Sequence, residues 1–522
     1  MASTLLPMYS SKDSPVIPNL NLENKPTRRV MFVQPRSTGG NFEYVAIFRQ
    51  GTLFLSGALR DYQGAYHYER SIWMEDRSGP IDPDKDLEGV DILCLTCLIN
   101  EAPRAYEIGR LAKQYHPEIK ILGGGPQMGP LPAEAIEYGK VDVVVQREGE
   151  DVIGPICDLV LTYRGADLIR ELKKIGGIAF LEDGKVVETR PHRPAVAADY
   201  VKLPDYDSIL HLTPQNPMAA GVLETVRGCT ENCSFCEVIQ QFKGYRMVSR
   251  EVELARIAQL QDLADRGLIF RSPLDGRFSV FVSDDLHAPP LRATKFYQER
   301  LARIRTWKDH TKGMFLISQN RAELGQSPEM MEAYLEAGME MLYLGVESSN
   351  AEALKLIRKR QEPGQVHRDL TELNRRGFIV VAMTIIGLPG DTEQSIMEMA
   401  DWVRSVSRYQ TANLLTPLPA TINWPNPEKG WPGLIPLDED GSILPPGKLR
   451  PYILYTGRQF VHYDERWSMQ ESREIYRKYT ERLRPVDSLY ARIYRMIKRK
   501  AERGELKQGA PTRIGTELPA AV

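Results

Sequence analysis

A chain of 522 residues is longer than one hydrophobic core usually supports, so two or three domains are expected, and 42% apolar with 26% charged residues is the composition of a soluble globular protein. Lys plus Arg number 67 against 69 Asp plus Glu, a net charge of −2 that offers no electrostatic footprint for nucleic acid. No apolar run reaches membrane-spanning length and no charged start precedes an apolar stretch, so no integral membrane segment and a cytoplasmic location are expected.

In chain order, residues 1–28 are polar, contain prolines, show no period and read as a flexible arm. Apolar runs at 29–34, 90–96, 119–123 and 141–146 read as buried parallel strands. A helix is expected over 101–115 with Asn100 as its N-cap. This alternation predicts a doubly wound, Rossmann-like α/β domain over residues 29–200, a fold that binds ligands beyond the carboxyl ends of its strands. A hairpin over 176–187 turning at Asp183-Gly184 closes it, and a proline-containing linker follows through 203–207.

A second alternation spans 201–425. A strand leads into Gly228-Cys-Thr-Glu-Asn-Cys-Ser-Phe-Cys-Glu237. Then come a helix over 249–267, a helix started by Ser327 and Pro328 and ended by Gly338, and strands at 278–283, 313–318, 341–346, 378–386 and 413–415. Six βα-type repeats predict a partial (β/α)6 barrel rather than a full eightfold one. Residues 426–522 lose the repeat: loops are expected at 424–427 and 444–447 and helices at 468–483 and 486–504. This mostly helical C-terminal region is expected to cap the barrel and select the substrate.

Three of the six cysteines, Cys229, Cys233 and Cys236, form CxxxCxxC, with Phe235 directly before the third. Three thiolates in a short loop can hold three irons of a four-iron four-sulfur (4Fe-4S) cluster and leave the fourth iron open to a small molecule. Zinc normally wants four ligands, and residues 237–276 hold no cysteine or histidine to complete the set. Six cysteines, three of them clustered, do not make a disulfide framework.

The cysteine pattern resembles the radical S-adenosylmethionine superfamily. The resemblance implies a 4Fe-4S cluster, S-adenosylmethionine chelated to the open iron by its amino and carboxylate groups, and release of a 5′-deoxyadenosyl radical on one-electron reduction. Phe281-Val-Ser-Asp-Asp285 is similar to the acidic second-strand motif of cobalamin-linked members, which implies that Asp284 or Asp285 meets the cosubstrate's ammonium. Gln319, Glu347 within Gly345-Val-Glu-Ser348, and Gly387-Leu-Pro-Gly-Asp391 follow the third, fourth and fifth strands, where strand ends face the ligand. Without the family, the two aspartates read as a helix cap and the Gly/Pro segments as turns.

In the first domain, Gly123-Gly-Gly-Pro-Gln127 follows a third or fourth strand and no GxGxxG occurs, so a dinucleotide site is a poor reading. The domain resembles the cobalamin-binding domain that precedes the radical domain in one large class. That resemblance implies that Thr96, Cys97, Gly123, Gly124, Gly125, Gln127, Glu148 and Gly149 line the corrin and its nucleotide tail. Residues 29–200 lack the DxHxxG whose histidine binds cobalt from below, as many members of the class do. Cys94 and Cys97 sit at strand positions of opposite facing and read as packing residues, and with Cys157 they are spaced unlike a methylthiotransferase's cysteines. His116, His287, His367 and His462 are scattered singletons without an expected catalytic role.

The resemblance implies a cobalamin-dependent C-methyltransferase acting on an unactivated carbon of a small-molecule biosynthetic intermediate. The radical would remove hydrogen, and methylcobalamin would supply the methyl group. With the same cofactors, an oxidative cyclisation or rearrangement is the alternative. From another class, a non-catalytic cluster or corrinoid sensor stays open. No flavin or nicotinamide fingerprint is evident, so a flavodoxin or ferredoxin is the expected electron donor.

Overall fold

The computed structural model describes residues 25–37, 48–407, 409–424, 435–438, 440–444, 457 and 459–483. The first domain is built on β1 (Thr27–Gln34), β2 (His67–Met74), β3 (Ile92–Thr96), β4 (Lys120–Gly124), β5 (Val143–Val145), β6 (Ile178–Glu182) and β7 (Lys185–Glu188), in the order β2-β1-β3-β4-β5-β6-β7. The first five are parallel; the hairpin β6–β7 continues the sheet antiparallel. Alternate residues go to opposite layers: Phe32, Cys94, Leu122 and Val143 to one core, Val33, Leu95, Ile121 and Val144 to the other. Burial on both faces is why these strands read as unbroken apolar runs.

Two local features explain the domain's outline. Asp183 and Gly184 both have positive φ (49° and 73°), as a two-residue turn between right-twisted strands requires. The helix expected from Asn100 instead runs Ala102–Tyr115 with Glu101 at the N-cap. The reason is that Leu98 N–H donates to Glu101 Oε2 at 3.0 Å, while the Asn100 amide donates to Ser37 Oγ at 2.9 Å.

The second domain starts with β8 (Gly221–Leu223). It continues through a short antiparallel ribbon of β9 (Val226–Arg227) and β10 (Arg246–Met247), which brackets the cysteine loop. Then come β11 (Phe278–Val282), β12 (Met314–Arg321), β13 (Met339–Glu347), β14 (Ile379–Ile386) and β15 (Tyr409–Leu414). With β8 at one edge these make six parallel strands in the order β15-β14-β13-β12-β11-β8, an open arc with helices outside. Ser249 Oγ caps the helix Arg250–Asp265 and Ser327 Oγ the helix Pro328–Glu336, as their sequences predict.

The helix Met469–Leu483 buries Ile475, Tyr479 and Leu483, and Tyr479 Oη is 3.0 Å from Thr384 Oγ1 of β14. Arg466 donates to the carbonyls of Leu388 and Asp391, each at 2.9 Å, and so ties this C-terminal segment to the turn after β14. Most of the arm at 1–28, the helix expected at 486–504, and most of the loops at 424–427 and 444–447 lie outside the described residues. Among the described residues no helix is long and apolar enough to cross a membrane.

The domains meet through the carboxyl ends of their strands. Gln50, which opens the helix Gln50–Asp61 after β1, accepts a hydrogen bond from Ser283 at the end of β11. Phe54 of the same helix lies beneath the guanidinium groups of Arg227 and Arg256.

Candidate active site

Glycine makes the cysteine loop possible. Gly228 has φ +80°, and a Cβ there would sit 1.9 Å from the carbonyl oxygen of Gly244, so the chain passes between β9 and β10 only without a side chain. Beyond it Cys229 Sγ accepts from Glu231 N–H at 3.4 Å and Cys236 N–H donates to Cys233 O at 3.3 Å. Ser234 N–H donates to Ile357 O at 3.1 Å, and Phe235 packs against Leu354, Ile357, Ile385 and Leu415. These contacts fasten the loop over the carboxyl ends of β13, β14 and β15.

Burial pushes the Cys229 thiol up to about 11 and Cys236 to about 12, and raises Cys233 as well. Desolvation disfavours the thiolates, and their mutual proximity adds to it. A coordinated metal reverses that order, because a coordinating thiol loses its proton outright. The donor set suits iron and sulfide. Among the described residues no three His, Cys, Asp or Glu side chains converge on one point as around a single ion, whereas a cubane offers its irons at separate corners.

Asp284 and Asp285 part company. Asp284 is fully buried and its carboxylate is consumed: Thr225 N–H (2.6 Å), Val226 N–H (2.8 Å) and Arg300 Nη2 (3.0 Å) donate to it, and His287 Nδ1 lies 2.8 Å away. It therefore has no oxygen left for a cosubstrate. Asp285 lies beside Cys229, Cys236 and the Gly228 amide. Burial and the neighbouring Asp284 and Glu224 push it up to about 7. Glu347, at φ +63°, is held by Lys359 Nζ at 2.6 Å beside Cys233. Gln319 stands half-buried at the end of β12 in register with Tyr343, whose ring meets Phe281 edge-on at 6.2 Å. Phe235 serves as a packing anchor.

On the first domain, Thr96, Gly124, Gly125 and Gly149 are partly accessible at the ends of β3, β4 and β5. A Cβ on Gly125, at φ +83°, would meet Thr96 Oγ1 at 2.3 Å, so backbone lines this edge. Gly123 is buried in the sheet. Cys97 is fully buried in the core opposite Cys94. Gln127 is buried with its amide donating to Glu134 at 2.8 Å, and Glu148 is paired with Arg227 and Arg246. The cradle fits a broad ring approached by backbone and small residues.

Sequence reasoning missed Arg227, Arg300 and Glu237, and it named His287 only as a singleton without a catalytic role. The Glu237 carboxyl, pushed up to about 8 by burial, has an Oε1 enclosed without a hydrogen-bond partner directly after Cys236. His287 packs between Trp307 and Tyr334, and only its spacing from Asp284 hinted at a pair.

The Radical SAM superfamily profile matches residues 223–403, and the B12 binding domain profile matches residues 85–155. An uncharacterized methyltransferase of Pyrococcus horikoshii is 26% identical over 350 residues, which cover 64% of this chain and 68% of the relative. The anaerobic magnesium-protoporphyrin IX monomethyl ester cyclase of Rubrivivax gelatinosus is 23% identical over 409 residues, covering 75% and 68%. The radical S-adenosylmethionine methyltransferase TsrM from Kitasatospora setae, solved with cobalamin and a 4Fe-4S cluster, superposes with a TM-score of 0.56 at 15% identity, over 76% of each chain. That likeness is one of fold.

Proposed function

We propose that this cobalamin-dependent radical S-adenosylmethionine enzyme is a methyltransferase that places a methyl group on an unactivated carbon of a small biosynthetic intermediate. The observation that supports the reading is that the loop after β5 reaches the two strands flanking the cysteine loop, Glu148 pairing with Arg227 and Arg246, while Gln50 meets Ser283 after β11. When bound, the cluster with S-adenosylmethionine supplies a carbon radical and the corrinoid supplies a methyl group, a division of labour that an electrophilic methyl donor alone lacks at such a carbon.

In this reading Cys229, Cys233 and Cys236 hold the cluster, and Asp285 accepts from the cosubstrate's ammonium. Thr96, Gly124, Gly125 and Gly149 support the corrin edge. Phe281, Gln319 and Tyr343, on the inner side of the arc, form the wall that a substrate meets. An acidic small electron carrier such as flavodoxin or ferredoxin supplies the reducing electron.

The test is incubation of anaerobically reconstituted enzyme with a strong reductant and S-adenosylmethionine labelled at its methyl group. Release of 5′-deoxyadenosine together with label in the corrinoid fraction supports methyl transfer. A second reading, oxidative ring closure, is favoured by the cyclase among the relatives; it predicts deoxyadenosine release with no label leaving S-adenosylmethionine.

A further inference from the structure

One side chain joins the loop after β5 to the strand that enters the cysteine loop. Arg227, two residues before Cys229, has a side chain only 4% exposed that meets three carboxylates. Its Nη1 lies 2.7 Å from Glu150 Oε1 and 3.2 Å from Glu148 Oε1, and its Nε donates to Glu224 Oε1 at 3.0 Å. Arg246, directly across the β9–β10 ribbon, donates to Glu148 at 2.9 Å. Arg256 approaches Glu224 at 3.5 Å. Three cations thus balance three anions, with Glu148, Glu150 and Glu224 at 5%, 8% and 0% exposure.

Cohesion between the domains does not explain this cluster. Buried ion pairs recover their desolvation cost only when geometry is good, and apolar residues of equal volume hold two surfaces together as well. What a guanidinium fork adds is direction, because it accepts carboxylates in its own plane and at fixed angles. The Glu148–Glu150 segment cannot slide past the cysteine loop without leaving a charge buried and unpaired.

We infer that Arg227 is a positioning residue that fixes the separation and orientation of the corrin-side loop and the cysteine loop, and so keeps radical generation in step with methyl delivery. The inference rests on the two-cofactor reading above. It matters for rate because misplacing reacting groups by about 1 Å costs on the order of 100-fold.

The test uses the full chain, loaded with cluster and with aquocobalamin as the corrinoid probe and reduced with dithionite so that Co(II) and the reduced cluster are both paramagnetic. The dipolar splitting between them reports their separation without any substrate. The native enzyme is expected to give one narrow distribution. Arg227→Gln and Glu150→Gln, with iron and cobalt contents equal to the native protein's, are expected to broaden it or shift it by about 1 Å or more, the scale on which alignment governs rate. Arg227→Lys, which keeps the charge but loses the fork, is expected to fall between. Amide hydrogen exchange across residues 145–152 and 226–236, measured before loading, is expected to rise in the two Gln variants together. If Arg227→Gln does not fold, Glu150→Gln decides, since it removes one carboxylate and leaves the others. A splitting and exchange pattern unchanged in fully loaded variants overturns the inference alone. A native protein that takes up cluster but no corrinoid overturns the two-cofactor reading and the inference with it.

Discussion

Asp284 and Asp285 show how far a motif can be carried. Adjacent residues at a strand end face opposite ways, so one is spent on Thr225, Val226, His287 and Arg300 while the other meets the cysteine loop. Asp284→Ala, which leaves the buried Arg300 with Glu253 as its remaining carboxylate and strips the Thr225 and Val226 amides of their acceptor, is expected to cost about 3–5 kcal/mol and lower the thermal midpoint by several degrees. Asp285→Asn is expected to leave the midpoint nearly unchanged and to weaken S-adenosylmethionine binding about tenfold, measured by calorimetry on the cluster-loaded protein. His287 gives a pH dependence. Burial, then the Arg300 charge, lowers it to about 4 against the pull of Asp284, with Glu253, Trp307 and Tyr334 around it. The unfolded chain takes the proton first, so stability is full above about 6.5 and falls as pH drops toward 4, by about 3 kcal/mol in all. Denaturant midpoints at pH 7 and pH 4.5 check this, and His287→Gln is expected to flatten the difference. The cysteines were legible because their spacing is local. Arg227 was not, because its partner Glu148 lies 79 residues away.

At the scale of elements, the long parallel strands were readable because burial on both faces makes continuous apolar runs. The strand β2 was missed: it lies at a sheet edge, where His67-Tyr-Glu-Arg-Ser71 mixes exposed and buried positions. The ribbon β9–β10 has two residues per strand, too few for any period to show. Yet that ribbon frames the cysteine loop, and its glycine is a sharp test. Gly228→Ala forces Cβ against the Gly244 carbonyl at a φ that L-residues avoid; the protein is expected to lose most of its iron while retaining cobalt. Gly125→Ala, which pushes on Thr96 Oγ1, is expected to do the reverse. Metal analysis of the two variants purified side by side separates the two sites, and a parallel loss of both metals in each would contradict their independence.

For the whole molecule, chain length and the two alternations of strand and helix implied two domains, with six parallel strands in the second. Periodicity could not say how the domains face each other, since that depends on side chains such as Gln50, Phe54, Glu148 and Arg227 brought together from distant segments. The face-to-face arrangement makes the claim about two cofactors concrete, and the metal content of anaerobically purified protein tests it most directly. About four irons and one cobalt per chain are expected in the native protein, and the triple variant Cys229→Ala, Cys233→Ala, Cys236→Ala is expected to lose the iron and keep the cobalt. One zinc per chain in place of iron, or iron undiminished in the triple variant, would contradict the account.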